Sequence, residues 1–156
     1  MMYDLKGRFV LVRIKDKESQ FKLAKVKQRN LGQNKIPYIV THDSRTIRFP
    51  PPDANVEDTV KINCATGQVE GVVKLEVGNN VLVTGGANRG RVGVITNRTR
   101  LQGMFDMIAV KDSNGSTFNT RIDNCFLIGK GETSLVTLPK GKGVRKTILE
   151  EQAERL

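Results

Sequence analysis

Apolar residues in this chain come in short runs, and Gly, Asn, Asp or Pro interrupts nearly every run. Runs of this length, rich in β-branched residues and bounded by turn formers, predict strands. Arg8 to Ile14, with Phe9, Val10, Leu11, Val12 and Ile14, predicts an opening strand. Asp16 to Gln20 reads as a turn or one helical turn. From Lys22 to Gln28 the pattern alternates, with Ala24 and Val26 inward and Lys25 and Lys27 outward. Tyr38 to His42 and Arg45 to Phe49 predict two more strands. Pro50, Pro51 and Pro52 must end the second, because proline cannot extend a ladder. Thr59 to Asn63 and Gln68 to Leu75 flank Ala65-Thr66-Gly67 as the arms of a hairpin.

Beyond residue 77 the strands are closer together. Val81 to Thr84, Arg91 to Asn97, Phe105 to Lys111, Thr117 to Thr120 and Asn124 to Ile128 are separated by Gly85-Gly86 through Gly90, by Gln102-Gly103 and by Ser113-Asn114-Gly115. Five short strands in so little chain predict a small SH3-like barrel. Such a core is marginal alone and should lean on a neighbour or on a partner. Gly129 to Gly143 is rich in Gly and Lys and reads as extended. Gly141 to Lys146 has almost no apolar material to fold around and is expected to be mobile alone and to order on a polyanion such as RNA. Thr147 to Leu156 places Leu149, Ala153 and Leu156 at helical spacing, with Thr147 as N-cap and Glu150 at capping-box distance. The expected fold is mostly β: a central β domain over 1–77, an SH3-like barrel over 78–128, and an extended basic tail with a short C-terminal helix over 129–156.

Charge changes the picture from fold to function. Lys plus Arg number 26 against 16 Asp plus Glu, a net charge of +10. That excess points to a polyanionic partner, because each cation set against a phosphate releases condensed counterions. A membrane surface would ask for a basic amphipathic helix or a lipidation signal, and neither is apparent. No run approaches the ~20 apolar residues of a spanning helix, and Asp4 and Lys6 interrupt any signal-like opening. Cys64 and Cys125 stand apart, without metal-ligand spacing, and read as buried thiols of a reducing compartment.

The densest motif is Asn80-Val81-Leu82-Val83-Thr84-Gly85-Gly86-Ala87-Asn88-Arg89-Gly90-Arg91-Val92-Gly93-Val94-Ile95. A strand enters a glycine-rich loop, crosses a basic-Gly-basic step and leaves as a strand. Glycines let such a loop take positive φ and bring N–H groups near a phosphate, and Arg89 and Arg91 add charge at the expected barrel surface. The same glycines can also serve only the hairpin. The stretch resembles the KOW motif of ribosomal proteins and transcription elongation factors. It is not a nucleotide-binding P-loop: Arg91 and Val92 stand where Lys and Ser or Thr belong, and a strand follows in place of a helix. His42, Asp43 and Ser44 are neighbours, but strand neighbours face opposite ways and no elbow presents a nucleophile. No catalytic residue, metal ligand, cofactor or small-molecule substrate is expected.

Thr41 to Pro50, the glycine loop, Gly129-Lys130-Gly131 and Leu138-Pro139-Lys140-Gly141-Lys142-Gly143 together resemble the small-subunit ribosomal protein four family of eukaryotes and archaea. The similarity runs from about Tyr3 to Leu156. Two departures stand out. Family members carry a further N-terminal region with an S4-type RNA-binding domain, which the resemblance implies is lacking here. The family often has Pro-Trp where this chain has Ser134-Leu135. The resemblance implies a structural constituent of the small ribosomal subunit that binds and stabilises its rRNA beside neighbouring ribosomal proteins. Its place would be the cytoplasmic ribosome, with nucleolar assembly in a eukaryote. The alternative is a KOW-module adaptor of a transcription elongation factor. On either reading the expected contacts are cations: Lys25, Lys27, Arg29, Arg45, Arg48, Arg89, Arg91, Arg98, Arg100, Lys140, Lys142, Arg145 and Lys146.

Overall fold

The computed structural model describes residues 1–100, 102–131, 133–139 and 142–156. It opens on a two-stranded hairpin, β1 (Met2–Tyr3) and β2 (Phe9–Val10). The Asp4 carboxylate accepts from the Lys6 and Arg8 N–H groups at 2.9 and 2.8 Å and holds the turn. A strand was expected from Arg8 to Ile14, but the ladder ends at Val10 and Leu11 and Ile14 are exposed. β-forming side chains alone do not make a strand: a neighbour must take up the backbone groups.

The first five-stranded sheet comprises β3 (Phe21–Leu31), β4 (Pro37–Thr41), β5 (Thr46–Arg48), β6 (Thr59–Asn63) and β7 (Val69–Val73), in the order β5-β4-β3-β6-β7. The long β3 pairs with β6 from Phe21 to Lys25 and with β4 from Val26 to Leu31. Its register with β4 slips between Val26 and Gln28, and such a slip bends a strand. The sheet therefore curls around Ala24, Val26, Ile39, Ala54, Val60 and Ile62. Ala24 and Val26 point inward, as their alternation predicts.

The second sheet comprises β8 (Asn80–Val83), β9 (Val92–Thr99), β10 (Met107–Lys111), β11 (Thr117–Arg121) and β12 (Cys125–Gly129), in the order β11-β10-β9-β8-β12. The last strand returns beside the first, after one 3-10 turn over Ile122–Asn124, and gives the SH3-like barrel that the spacing predicts. Val81, Ile95, Ile108, Val110 and Leu127 fill it, with Leu75 and Leu135 packed on from either flank. On the other face of β8 and β12, Leu82, Val92 and Ile128 are covered by Met2 of the hairpin and by Val136 and Leu138 of the tail.

Lys25 joins the two sheets. Its ammonium donates to the carbonyls of Ile122 and Cys125 at 3.0 and 2.8 Å and lies 2.9 Å from the Glu57 carboxylate. The expectation that Lys25 points to water is thus corrected. It does point away from the first core, but the barrel covers that face.

The tail is also more fastened than its composition suggests. Leu135 N–H donates to Ile128 O at 2.7 Å, and Val92 N–H donates to Gly143 O at 3.0 Å. Gly143 has φ +72°, and a Cβ there would lie 2.4 Å from Val92 Cγ2. The described part of the tail from Lys142 thus lies against the start of β9, where glycine allows the close approach. α1 (Ile148–Arg155) carries the predicted capping box between Thr147 and Glu150. Its apolar residues Ile148 and Leu149 pack on nothing among the described residues.

Candidate nucleic-acid interface

The glycine loop between β8 and β9 is closed by its own backbone. Gly90 N–H donates to Val83 O, Val83 N–H to Arg91 O, and Arg91 N–H to Asn88 O. Gly90 has φ +88°, and a Cβ on it would fall 1.8 Å from Asp4 O. The N-terminal hairpin is seated against this position. At Gly93 a Cβ would fall 2.5 Å from Lys111 O. These two glycines make room for protein backbone, and the Gly90 N–H is already taken.

The two arginines of the motif part ways. Arg89 is exposed, with its guanidinium 5.4 Å from the centre of the Tyr3 ring. Arg91 is 9% exposed, contrary to the expectation of a surface position. Its Nη2 lies 3.3 Å from Asp112 Oδ2, on a carboxylate side chain that is 0% exposed. Nη1 donates to Asn88 Oδ1 at 3.2 Å, and the guanidinium sits 3.9 Å from the Phe118 ring centre. The other Asp112 oxygen accepts from the Asn114 and Ser116 N–H groups, so one ion pair ties the glycine loop to the β10–β11 hairpin. The physical reason is the barrel's closure: Arg91 lies immediately before β9 with its side chain against Asp112, which follows β10, and Phe118 of β11.

The remaining cations divide in the same way. Arg29 Nη1 donates to Pro52 O, Ala54 O and Asn55 Oδ1 at 3.2, 3.0 and 3.1 Å, and so pins the proline-rich loop. Arg98 pairs with Asp106 at 3.1 Å. Lys146 pairs with Glu154 across α1. Arg145 is exposed and donates to Ala87 O at 3.2 Å, which brings the tail beside the loop of Arg89. Lys27, Arg48, Arg100 and Lys142 are exposed and Arg45 is half-buried; none of the five has a carboxylate partner among the described residues. Lys140 lies outside the described residues. Phe49, absent from the predicted contacts, stands at the end of β5 next to Arg48 and is 70% exposed. An aromatic residue between an arginine and a proline run was the available signal.

A model of the ribosomal family S4e matches residues 1–69, and a model of the 40S ribosomal protein S4 C-terminus matches residues 112–156. The chain belongs to the ribosomal S4e family. S4e chains of this eukaryotic and archaeal type are small-subunit ribosomal proteins. The fold is similar to the crystal structure of the 30S ribosomal protein S4e from Thermoplasma acidophilum, with a TM-score of 0.69 at 24% identity. That match covers 85% of this chain and 67% of the other.

The ionisable groups of this S4e chain fit a structural role. His42 Nδ1 accepts from the Lys25 N–H at 3.1 Å, and burial lowers its pKa despite the nearby Asp43 charge. Burial alone would raise the Asp43 carboxyl. Hydrogen bonds from Lys22, at 2.8 Å, and from the Thr41 hydroxyl more than offset this and hold it well below the usual carboxylate range. Asp43 is therefore hydrogen-bonded to Lys22 and Thr41. Of the two cysteines expected to be buried, Cys64 is exposed and only Cys125 is buried, where burial pushes its thiol up to about 11 and disarms it as a nucleophile. A cleft of about 1090 Å³ opens between the N-terminal hairpin, β3 and β12. Lys25 and Glu57, two of its charged residues, are spent on each other. Among the described residues no group of three His, Cys, Asp or Glu side chains could hold a metal.

Proposed function

We propose that this S4e chain binds and stabilises small-subunit rRNA without catalysing a reaction, by neutralising phosphates with its unpartnered cations. The observation that carries this is the division just described, on a chain of net charge +10. Lys25, Arg29, Arg91 and Arg98 are used by the protein itself. Lys27, Arg45, Arg48, Arg89, Arg100 and Lys142 are left to face solvent without an ion pair among the described residues. Such cations position RNA without reading its sequence. In this reading residues 1–77 and 78–128 form two modules and residues 129–156 a tail. Arg89, Arg145 and the tail present one basic region, and β3 and β5 present another. Family membership favours this over the elongation-factor adaptor, since both matched segments lie outside the glycine loop. The chain would work on the cytoplasmic ribosome beside other ribosomal proteins, after nucleolar assembly in a eukaryote.

Co-sedimentation with small subunits through a high-salt sucrose cushion tests the proposal. Wild type should pellet with the subunit. A variant with Lys27, Arg45, Arg48, Arg89, Arg100 and Lys142 changed to Ala should lose in direct competition. Equal incorporation of the two would overturn it.

A further inference from the structure

We propose that the groove between β5 and β7 is a binding site for an unpaired RNA nucleotide, with Phe49 stacked on the base and Arg45 and Arg48 on the flanking phosphates. This rests on the RNA-binding reading above and gives it a place and a class of ligand.

β5 and β7 are the two edges of the first sheet. Yet Ile47 of β5 and Val69 of β7 pack on the same core, so the sheet curls until its edges approach each other. The seam between them is a groove of about 640 Å³. β5 with Phe49 and Pro51 makes one wall, and Gly67, Gln68 and Val69 of the β6–β7 hairpin make the other. No acidic residue lines it. Arg45 and Arg48 both line it, and neither has an ion pair among the described residues. A groove with two free guanidiniums and no carboxylate is complementary to phosphate.

Phe49 supplies the second half of the site. Phe49 is 70% exposed, and its backbone is held at φ +50°, a region that bulky residues rarely adopt. The Phe49 N–H donates to Pro37 O at 2.9 Å, which ties the strand end down in that conformation. Backbone held this way is concentrated at ligand sites. A base stacks on an exposed aromatic face whatever its identity, but only where it has left the helix. The groove therefore selects unpaired over paired RNA and does not read sequence. The far wall is low at Gly67, where a Cβ would meet nothing within 4 Å, so a strand can pass through.

The test uses the full chain and fluorescence anisotropy, with a labelled single-stranded oligoribonucleotide of mixed sequence and the same strand annealed to its complement. Phe49→Ala should weaken single-strand binding roughly tenfold and leave duplex binding within about twofold. Phe49→Tyr should restore it. The residue is mostly in solvent, so Phe49→Ala should melt with wild type, and circular dichroism checks that. Arg45→Ala with Arg48→Ala should lower the single-strand salt slope by about 1.4, two phosphates at about 0.7 each. Phe49→Ala binding single strands as wild type does, or losing single strand and duplex equally, would overturn the site while the broader RNA reading stands. Wild type binding neither probe would overturn both.

Discussion

Replacing Arg91 by Ala should unfold this protein far more readily than its place in a basic loop suggests. The change removes a guanidinium held by Asp112 and Asn88 and seated on Phe118. It leaves the fully buried Asp112 carboxylate without its countercharge. Removing one partner of a buried ion pair costs about 3–5 kcal/mol, because the other charge stays desolvated. Domains of this kind have only about 5–15 kcal/mol in total. For a chain of this size each kcal/mol moves the melting temperature by about 2–4 °C, so the expected drop is on the order of 10 °C. Arg89 makes the control. It is exposed and contributes only a cation–π contact with Tyr3 at 5.4 Å, so Arg89→Ala should cost about 0.5–1 kcal/mol. Thermal unfolding followed by circular dichroism reads both. Adding Asp112→Asn to Arg91→Ala removes the stranded charge while keeping an oxygen for the Asn114 and Ser116 N–H groups, and should recover part of the loss. Arg91→Ala melting with Arg89→Ala would refute the burial argument.

Gly90→Val should detach the N-terminal hairpin, since its Cβ would meet Asp4 O at 1.8 Å and its φ is +88°; limited proteolysis should then cut within residues 1–14, and unchanged protection there would contradict the packing. Iodoacetamide at pH 8 should modify exposed Cys64 and spare Cys125, whose thiol is pushed up to about 11, until the chain is unfolded; equal labelling of the native protein would contradict its burial. The Asp43 carboxyl is held below its unfolded value of about 3.9, so its contribution to stability is present above that pH and is lost as pH falls through the lower folded pKa. Asp43→Asn should accordingly make stability less sensitive to acid below about pH 4, and an unchanged acid profile would refute the Lys22 and Thr41 contacts.

The strands were legible in the sequence because glycine, proline and asparagine mark nearly every turn, and the barrel followed from five of them closely spaced. The cap of α1 was legible because Thr147 and Glu150 make it locally. What stayed hidden depends on residues far apart in the chain. Nothing in Arg89-Gly90-Arg91 announces that Asp112 will be buried beside only one of the two arginines. The alternation at Lys25 correctly turned it away from the first core, but a single strand carries no record of the second sheet that covers it. Arg8 to Ile14 has the composition of a strand, and only the absence of a neighbour past Val10 ends it. Phe49 ends a predicted strand, and nothing local to it announces that it will be 70% exposed.

The central claim is that cations unclaimed by the fold bind rRNA phosphates, and salt dependence measures this directly. Affinity for structured small-subunit rRNA should fall linearly on a log–log plot, with a slope near −5 if about six phosphates are neutralised. The variant lacking Lys27, Arg45, Arg48, Arg89, Arg100 and Lys142 should melt within a few degrees of wild type and bind with a much shallower slope. A wild-type slope near zero between about 50 and 300 mM salt, or the same steep slope in both proteins, would contradict the account.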